Sequence, residues 1–302
     1  LMEGMDALFY EKEQKVRVKQ QSGDLFRVIR RELSKNRNKL PKLYQALDEA
    51  MDCDRYREYG DLLFAYQSSL KREPIVRLPS FEREEEVAIP IDMRFDIARN
   101  ANRYYQKYHK QRRAQGILQE QIALCEQTIA YFEQLESQVE LAAVPDAMEI
   151  REELVKRGYM NAQKSGIRRR KGKQIPHFTV FDIEGTLVYL GKNNIQNEYL
   201  TRTLARKDDL WFHTKDLHGS HVICTAPQPD ERLLRICAML ASYYSQGRFS
   251  SSVPVNYCPV RQLKKVPGSA PGAVTMQHYR TIYMDPSQKE VTEIIRQYQK
   301  KT

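Results

Sequence analysis

The segment Asp208–His221 brings together the residue types most able to do chemistry. It holds the chain's only Trp, three of its six His and a Gly-Ser pair. Successive side chains of a strand point to opposite faces, so we expect Leu210, Phe212 and Thr214 to face a core. The opposite face would then present a carboxylate, an indole, an imidazole and an ammonium group together, from Asp209, Trp211, His213 and Lys215.

This set of side chains is typical of a surface that binds unpaired nucleotides. Exposed aromatic rings beside cations stack bases and attract the phosphate backbone. Gly219 permits a close backbone approach, and the amides of the Gly219-Ser220 turn could receive a phosphate oxygen. His221 follows the turn directly. The segment therefore predicts a nucleic-acid-binding site.

Three other interpretations use the same residues. A metal site would draw on His213, His218 and His221 with Asp209, but the spacing His-x4-His-x2-His fits no common metal site. A nucleophile pair of Ser220 with a His lacks the nucleophile-elbow pattern. The third is that the Trp and His side chains belong to a core. The sequence offers no catalytic set and no phosphate-binding Gly loop, so we expect a non-enzymatic protein without a metal or a cofactor.

A basic run precedes this segment. From Arg151 to Lys173, nine basic residues stand against two acidic ones, a local charge of +7 in a chain whose net charge is +10. Such a run can neutralise several phosphates without reading bases; the alternative is a solvated linker. The predicted nucleic-acid-binding residues are Arg168, Arg169, Arg170, Lys171, Lys173, Asp209, Trp211, His213, Lys215, Gly219, Ser220 and His221.

Two long helices come first in the chain. Core-type positions recur in alternating steps of four and three from Ile97 to Val139, a heptad stripe whose middle is polar. A second stripe runs from Phe26 to Leu47, and we expect Pro41 to end or kink that helix. Helices of this length must pack on a partner. We therefore predict an antiparallel hairpin, with two ordinary helices of a bundle as the alternative.

The remaining patterns define an insert and a C-terminal module. Residues 43–70 read as short helices, and the runs 75–78 and 87–91 read as a β-hairpin with an acidic turn. Strand patterns around one helix near 231–246 indicate a module with a mixed or antiparallel sheet. The expected fold class is α+β, a long antiparallel helical hairpin (coiled coil) followed by a compact mixed-sheet α+β domain. The predicted boundaries are 1–150 for the hairpin with a distal insert at about 41–92, 151–174 for the basic linker and 175–302 for the module.

Composition narrows the classes further. The five cysteines are odd in number and dispersed, which argues against a disulfide scaffold and a zinc knuckle and predicts reduced, buried thiols. No run of 18 apolar residues occurs, so no membrane-spanning helix is expected. Residue 1 is Leu and helical patterning begins almost at once, so we expect the chain to be a fragment of a longer protein.

Several motifs resemble the NFACT family. In the C-terminal module the similar stretches are Gly191-Lys-Asn-Asn-Ile-Gln-Asn197, Asp209-Leu-Trp-Phe-His213, Gly219-Ser-His-Val-Ile223, the helix Ala238–Ser245, and Lys264-Lys265 leading to Pro271-Gly-Ala-Val274. They run in the family's order over about 110 residues. In the helical part, Gly60-Asp-Leu-Leu63 and Asn100-Ala-Asn-Arg-Tyr-Tyr105 look like the family's middle coiled-coil region. The chain thus resembles the C-terminal half of a family member.

The resemblance implies two functions of different class. One is intracellular: binding of stalled large ribosomal subunits and peptidyl-tRNA in ribosome quality control, with support of alanine tailing of the nascent chain and the C-terminal module as the RNA-binding part. That role implies a cytoplasmic location. The other is adhesion: some family members are known as anchorless proteins that bind host fibronectin or fibrinogen at the cell surface. Reduced cysteines and clustered basic residues favour the first.

Overall fold

The computed structural model describes residues 23–161 and 175–300. Its helices are α1 (Gly23–Met51), α2 (Asp54–Tyr66), α3 (Ile97–Leu141), α4 (Val144–Lys156), α5 (Asn194–Tyr199), α6 (Glu231–Tyr243) and α7 (Gln288–Tyr298). Its strands are β1 (Ile75–Pro79), β2 (Glu86–Pro90), β3 (Thr179–Ile183), β4 (Thr186–Gly191), β5 (Leu210–Thr214), β6 (His221–Cys224), β7 (Val253–Pro259), β8 (Leu263–Lys265), β9 (Val274–Met276) and β10 (Arg280–Met284). The described residues form two compact units, 34–129 and 23–33 with 130–300.

Helices α1 and α3 pack antiparallel within the unit 34–129. Gln115 of α3 donates a hydrogen bond to the carbonyl of Ala50 at 2.8 Å, and the Cys125 thiol donates to the carbonyl of Asn36 at 3.4 Å. Residue numbers therefore increase along α1 in the direction in which they decrease along α3. The shared apolar seam contains Leu40, Leu43, Leu47, Leu118, Ile122, Cys125 and Ile129. The predicted hairpin and its heptad stripe are confirmed, and residues 5–22 of the expected first helix lie outside the described residues.

Of the two effects predicted for Pro41, an end or a kink of helix α1, the end is wrong. The helix continues through Pro41 to Met51. Proline removes one N–H, which leaves the carbonyl four residues earlier without its helical donor. Pro41 and Arg37 both lie on the exposed side of α1, where water can satisfy that carbonyl. The seam of α1 against α3 then holds the helix together past the proline.

The predicted β-hairpin is confirmed. Strands β1 and β2 pair antiparallel, with Ile75 opposite Pro90 and Pro79 opposite Glu86. Alternate residues of this hairpin, among them Leu78 and Ile89, pack against α2 and the start of α3. The acidic turn between the strands is exposed.

The C-terminal module is built on a six-stranded sheet in the order β10-β7-β5-β6-β4-β3, in which every neighbouring pair is antiparallel. The α+β class is confirmed, and the choice between a mixed and an antiparallel sheet is settled as antiparallel. Helices α6 and α7 cover one face of the sheet and form the main core with it. Strand β5 therefore lies in the middle of the sheet, buried between its neighbours.

A second layer covers the opposite face of the same sheet. A turn of π-helix, Leu200–Leu204, extends α5, and β8 pairs with β9 as a separate two-stranded hairpin. Apolar residues from both segments pack on the sheet: Leu200, Leu204, Ala205, Leu263, Val274 and Met276. The sheet of the module is thus covered on both faces, which decides the environment of every β5 side chain.

Candidate nucleic-acid interface

Strand β5 places its two central aromatic residues in two different cores. Phe212 is fully buried in the main core under α6, as its predicted face requires. Trp211 points the other way and is only 1% exposed, because the second layer closes over it. The prediction that Trp211 is an exposed stacking platform is therefore wrong. The alternation along the strand was sufficient to separate the two faces, but it could not show that both are covered.

Two histidines pack around the buried indole. The ring of His213 is stacked with Trp211 at 5.6 Å between centroids, and His221 meets both rings edge-on at 5.2 Å. Loss of solvation lowers the pKa of His213 to about 4 and moves the pKa of His221 well below its ordinary value. Both imidazoles are therefore neutral near pH 7, so neither adds a positive charge for a phosphate. In residues 23–161 and 175–300, no group of three or more His, Cys, Asp or Glu is placed to hold a metal ion.

The Gly219-Ser220 turn packs inward as well. The amide of Ser220 donates to the carbonyl of Tyr244 at 2.9 Å, and the Ser220 side chain is buried. A Cβ added at Gly219 would lie 2.9 Å from both Ser245 Cβ and Thr214 Oγ1. The close approach predicted for Gly219 is thus made to the protein's own residues. The Ser220 amide is already bonded, so its expected role as a phosphate donor is wrong.

The two charged residues of the predicted set differ in their surroundings. Asp209 is 4% exposed, and its carboxylate accepts a hydrogen bond from the amide of Arg206 at 2.8 Å, which holds the turn before β5. A buried carboxylate that holds this turn has no favourable contact to make with a polyanion. Lys215, at the end of β5, is exposed. Of the side chains from 209 to 221 that were proposed to contact nucleic acid, Lys215 is the one the fold presents to solvent as a cation.

The segment Asn193–Asn197 forms a buried polar joint with helix α4. Gln196 Nε2 donates to Asp146 Oδ1 and to Glu149 Oε2, both at 2.8 Å, and Asn193 Nδ2 donates to Glu149 Oε2 at 2.7 Å. The amides of this segment are therefore used as donors to carboxylates of α4. The joint fixes α4 against the C-terminal module.

The joint continues to the end of α3. Gln138 Nε2 donates to Asn194 Oδ1 at 2.9 Å, and Asn194 Nδ2 donates to Glu153 Oε1 at 3.2 Å. Tyr131 also donates to Glu153 Oε1, at 3.0 Å. Burial raises the pKa of Glu153 despite these donors. The same segment also starts helix α5, because Asn193 caps it by accepting a hydrogen bond from the amide of Gln196.

A cationic surface that the sequence analysis did not identify lies on α3 in the unit 34–129. Between Asp96 and Glu120 the chain has no acidic residue, and its basic residues there are Arg99, Arg103, Lys107, Lys110, Arg112 and Arg113. All six are exposed. Five of them recur at helical spacing on one side of α3, and we call this set the α3 stripe: Arg99, Arg103, Lys107, Lys110 and Arg113. At 1.5 Å per residue the stripe is about 21 Å long.

Aromatic rings support the first part of the α3 stripe. The Arg99 and Arg103 guanidinium groups lie 4.4 and 4.7 Å from the centre of the Phe95 ring. The Lys107 ammonium lies 5.2 Å from the centre of the Tyr104 ring. Such contacts hold long side chains in place while their charges stay in water. The run without an acidic residue is the sequence signal that predicts the stripe, and it coincides with the polar middle of the heptad pattern.

The basic linker residues Arg168, Arg169, Arg170, Lys171 and Lys173 lie outside the described residues. Their predicted contact with phosphates stays a prediction. All five cysteines are free and buried, as expected. No helix in the described parts of the chain has a stretch long and apolar enough to cross a membrane.

Comparison with known proteins gives a consistent family assignment. Residues 1–174 match the model of the NFACT N-terminal and middle domains, and residues 176–278 match the NFACT protein RNA binding domain. The chain is 36% identical over 301 residues to the Rqc2 homolog RqcH of Bacillus subtilis, covering 97% of this chain and 52% of that protein. It is 34% identical over 294 residues to the Rqc2 homolog RqcH of Streptococcus pneumoniae, covering 96% of this chain and 53% of that protein. The chain spans about half the length of these curated relatives.

A solved structure supports the fold. The C-terminal part of the fibronectin/fibrinogen-binding protein from Streptococcus suis superposes with a TM-score of 0.72 at 31% sequence identity. The match covers 92% of this chain and 98% of that one. The likeness therefore extends to nearly all of the elements described above.

Proposed function

This chain belongs to the NFACT family, and we propose that it binds RNA of the large ribosomal subunit and tRNA as a non-enzymatic module of ribosome quality control. The family match to an RNA binding domain and the similarity to RqcH over nearly the whole chain support the proposal. In this role the chain works in the cytoplasm as one half of a longer protein. Alanine tailing of the nascent chain would require that whole protein.

The observation that carries the proposal is the α3 stripe. Five exposed cations on one side of a helix, with no acidic residue from 97 to 119, form a line of positive charge. A helix presents such charges at fixed spacing, so several phosphates can be neutralised at once with little ordering of the protein. Contacts of this kind position a protein on RNA and do not read its sequence. The stripe therefore fits a structured RNA surface better than a short sequence motif.

The test is the salt dependence of RNA binding by the whole chain. Changing Lys107, Lys110 and Arg113 to Ala removes three stripe charges. Each lost phosphate contact lowers the slope of log affinity against log salt by roughly 0.7 to 0.9, so we expect a slope lower by about 2 to 3 on large-subunit RNA. The affinity at low salt should fall at the same time.

A matched variant controls for net charge. Arg235, Lys289 and Arg296 are also exposed and lie on α6 and α7 of the C-terminal module. Their replacement with Ala removes the same charge and should leave the slope within about one contact of the wild type. Equal losses in both triple variants would show that only net charge matters and would refute the stripe as the interface.

A second function is favoured by the solved relative. The Streptococcus suis protein bears the name of a fibronectin/fibrinogen-binding protein, so we propose adhesion to such a host protein as the alternative role, at the cell surface. The same triple variants distinguish the two. Loss of RNA binding with unchanged fibronectin binding would assign the α3 stripe to RNA, and the reverse result would assign it to the host protein.

A further inference from the structure

Phe249 is the most exposed large hydrophobic side chain in the part of the chain that the structure describes. It is 94% exposed, whereas Trp211, Phe212 and the other aromatic residues of the sheet's central strand are buried or partly covered. A phenylalanine loses favourable burial when it stays in water. Single exposed hydrophobic residues are common on protein surfaces, so a role for Phe249 rests on its fixed backbone and on the cation beside it.

The backbone beside Phe249 is well held. Residues Gln246–Phe249 form a 3-10 turn that Ser245 caps by accepting a hydrogen bond from the amide of Gly247. The amide of Gln246 donates to the carbonyl of His218 at 3.0 Å, and the amide of Ser250 donates to the carbonyl of Gly247 at 2.9 Å. The turn is thus bonded internally and to the turn that follows β5.

Gly247 anchors the turn from below. It is buried, and a Cβ at this position would lie 3.0 Å from Leu217 Cδ1 and from Val253 Cγ2. The turn therefore sits tightly on the start of β7. Phe249 is held outward by a fixed backbone and is not a side chain of a loose loop.

A cation lies beside the ring, and hydroxyl residues follow it in the chain. The Arg248 guanidinium lies 4.1 Å from the centre of the Tyr243 ring, donates to the Tyr243 hydroxyl, and lies 5.5 Å from the centre of the Phe249 ring. The exposed hydroxyl residues Ser250 and Ser251 follow directly.

We propose that Phe249 stacks on an unpaired base of RNA while Arg248 contacts the adjoining phosphate. An open aromatic ring beside a cation has the chemistry of a single-strand stacking site, since every base offers a flat face to a ring. A base inside a duplex cannot offer that face. A protein partner would bury such a ring within an apolar patch, whereas here its chain neighbours are arginine and serine. The inference rests on the proposed function, because it assigns the RNA contact within the RNA binding domain.

The experiment measures the affinity of the whole chain for a labelled single-stranded RNA and for the same RNA annealed to its complement. Phe249→Ala should weaken single-strand binding by roughly 5- to 150-fold, the range that corresponds to the loss of one stacked base. Duplex binding should change by less than about twofold. Phe249→Tyr retains the ring and should restore most of the affinity.

The matched control is Phe81→Ala. Phe81 is also an exposed phenylalanine, at 61%, but lies in the turn between β1 and β2. This control should bind both RNAs like the wild type. Full single-strand affinity in Phe249→Ala would overturn the inference, as would an equal loss on single-stranded and duplex RNA. A loss of fibronectin binding alone would overturn it too, by assigning the ring to a protein partner.

The result also separates this inference from the function on which it rests. If Lys107, Lys110 and Arg113 are needed for RNA binding while Phe249 is not, RNA binding stands and the stacking site fails. If the wild-type chain binds neither RNA at any salt concentration, both fail together.

Discussion

The segment 208–221 and the α3 stripe reverse the expectation that rare side chains mark an interface. The first holds the chain's only Trp and half of its His residues, and the fold buries Trp211 and His221 under a second layer. The second consists of ordinary Lys and Arg residues, and the fold leaves all of them exposed along one helix. The rare side chains of 208–221 therefore pack inside the C-terminal module, whereas the Lys and Arg side chains of the α3 stripe remain available to a partner.

The difference has a physical cause. A sheet whose central strand carries large apolar side chains on both faces must be covered on both faces, because burial of aromatic surface is worth more than its exposure. Charged side chains on a long helix lose solvation if they are covered without partners, so they stay at the surface. The type of side chain alone does not predict whether a residue is buried, as at 208–221, or exposed, as on α3. The prediction also requires knowing how many faces of the element are covered by other parts of the fold.

The largest expected effect tests whether Trp211 is buried. Trp211→Ala should cost about 3–5 kcal/mol of unfolding free energy, like Phe212→Ala on the opposite face of β5, because both remove a buried aromatic side chain. Denaturant unfolding of the two variants gives the comparison. Phe249→Ala serves as the exposed control and should leave stability within about 0.5 kcal/mol. A Trp211→Ala protein as stable as the wild type would contradict the burial of Trp211 and support the sequence-based prediction that it is an exposed stacking platform.

The next effect tests the polar joint between α4 and the C-terminal module. Gln196→Ala removes the amide that donates to Asp146 and Glu149 and leaves both carboxylates short of a donor. We expect a loss of roughly 1–3 kcal/mol of unfolding free energy, the usual cost of an unsatisfied buried polar group. Gln45→Ala is the control, because that glutamine contacts Glu49 on the exposed side of α1. Equal stability of the two variants would mean that the joint contributes nothing.

A smaller, pH-dependent effect belongs to Glu153 in the same joint. Burial raises the pKa of Glu153 above its ordinary value of 4.5. The folded protein then keeps this proton at pH values where the unfolded chain has lost it. The contribution to stability is therefore complete below pH 4.5 and is lost as pH rises through the higher folded pKa.

Glu153→Gln isolates that effect, because glutamine keeps an oxygen for the donors Asn194 and Tyr131 and cannot ionise. We expect the difference in unfolding free energy between the variant and the wild type to shift in favour of the variant as pH rises from about 4.5. Chemical unfolding across a pH series measures it. A difference that stays constant with pH, or one that shifts in favour of the wild type, would show that the fold does not raise the pKa of Glu153.

The fold could be predicted from the sequence wherever apolar residues recur at a regular spacing. The heptad stripe from Ile97 to Val139 located the hairpin seam, and the alternating run at 75–91 located the β-hairpin. Strand alternation also placed Phe212 in the main core. In each case a local periodic pattern specifies which face of the element is buried.

The environment of the site was not predictable in the same way. The layer over Trp211 comes from residues near 200–205, just before β5, and from residues 263–276, which are distant in sequence; neither segment carries a pattern that points to β5. The carboxylate partners of Gln196 lie 47 and 50 positions earlier in the chain, so no local pattern could predict that its amide is buried against them. The α3 stripe was readable, since the absence of acidic residues from 97 to 119 is a property of the sequence itself.

The smallest expected effect concerns the basic linker. It compares the charges of the α3 stripe, whose exposure the structure shows, with charges that are known from the sequence alone. Replacing Arg168, Arg169, Arg170 and Lys171 with Ala removes four charges, one more than the stripe variant does. From sequence, Gly166 and Gly172 flank this run, and glycine adds backbone entropy that binding would have to overcome. We therefore expect a uniform weakening of RNA binding and a fall in the salt slope smaller than the roughly 2 to 3 expected for three stripe charges. Salt titrations of both variants on the same RNA decide the order. An unchanged slope would identify the run as a solvated linker, and a larger fall than that of the stripe variant would make the linker the main electrostatic contact.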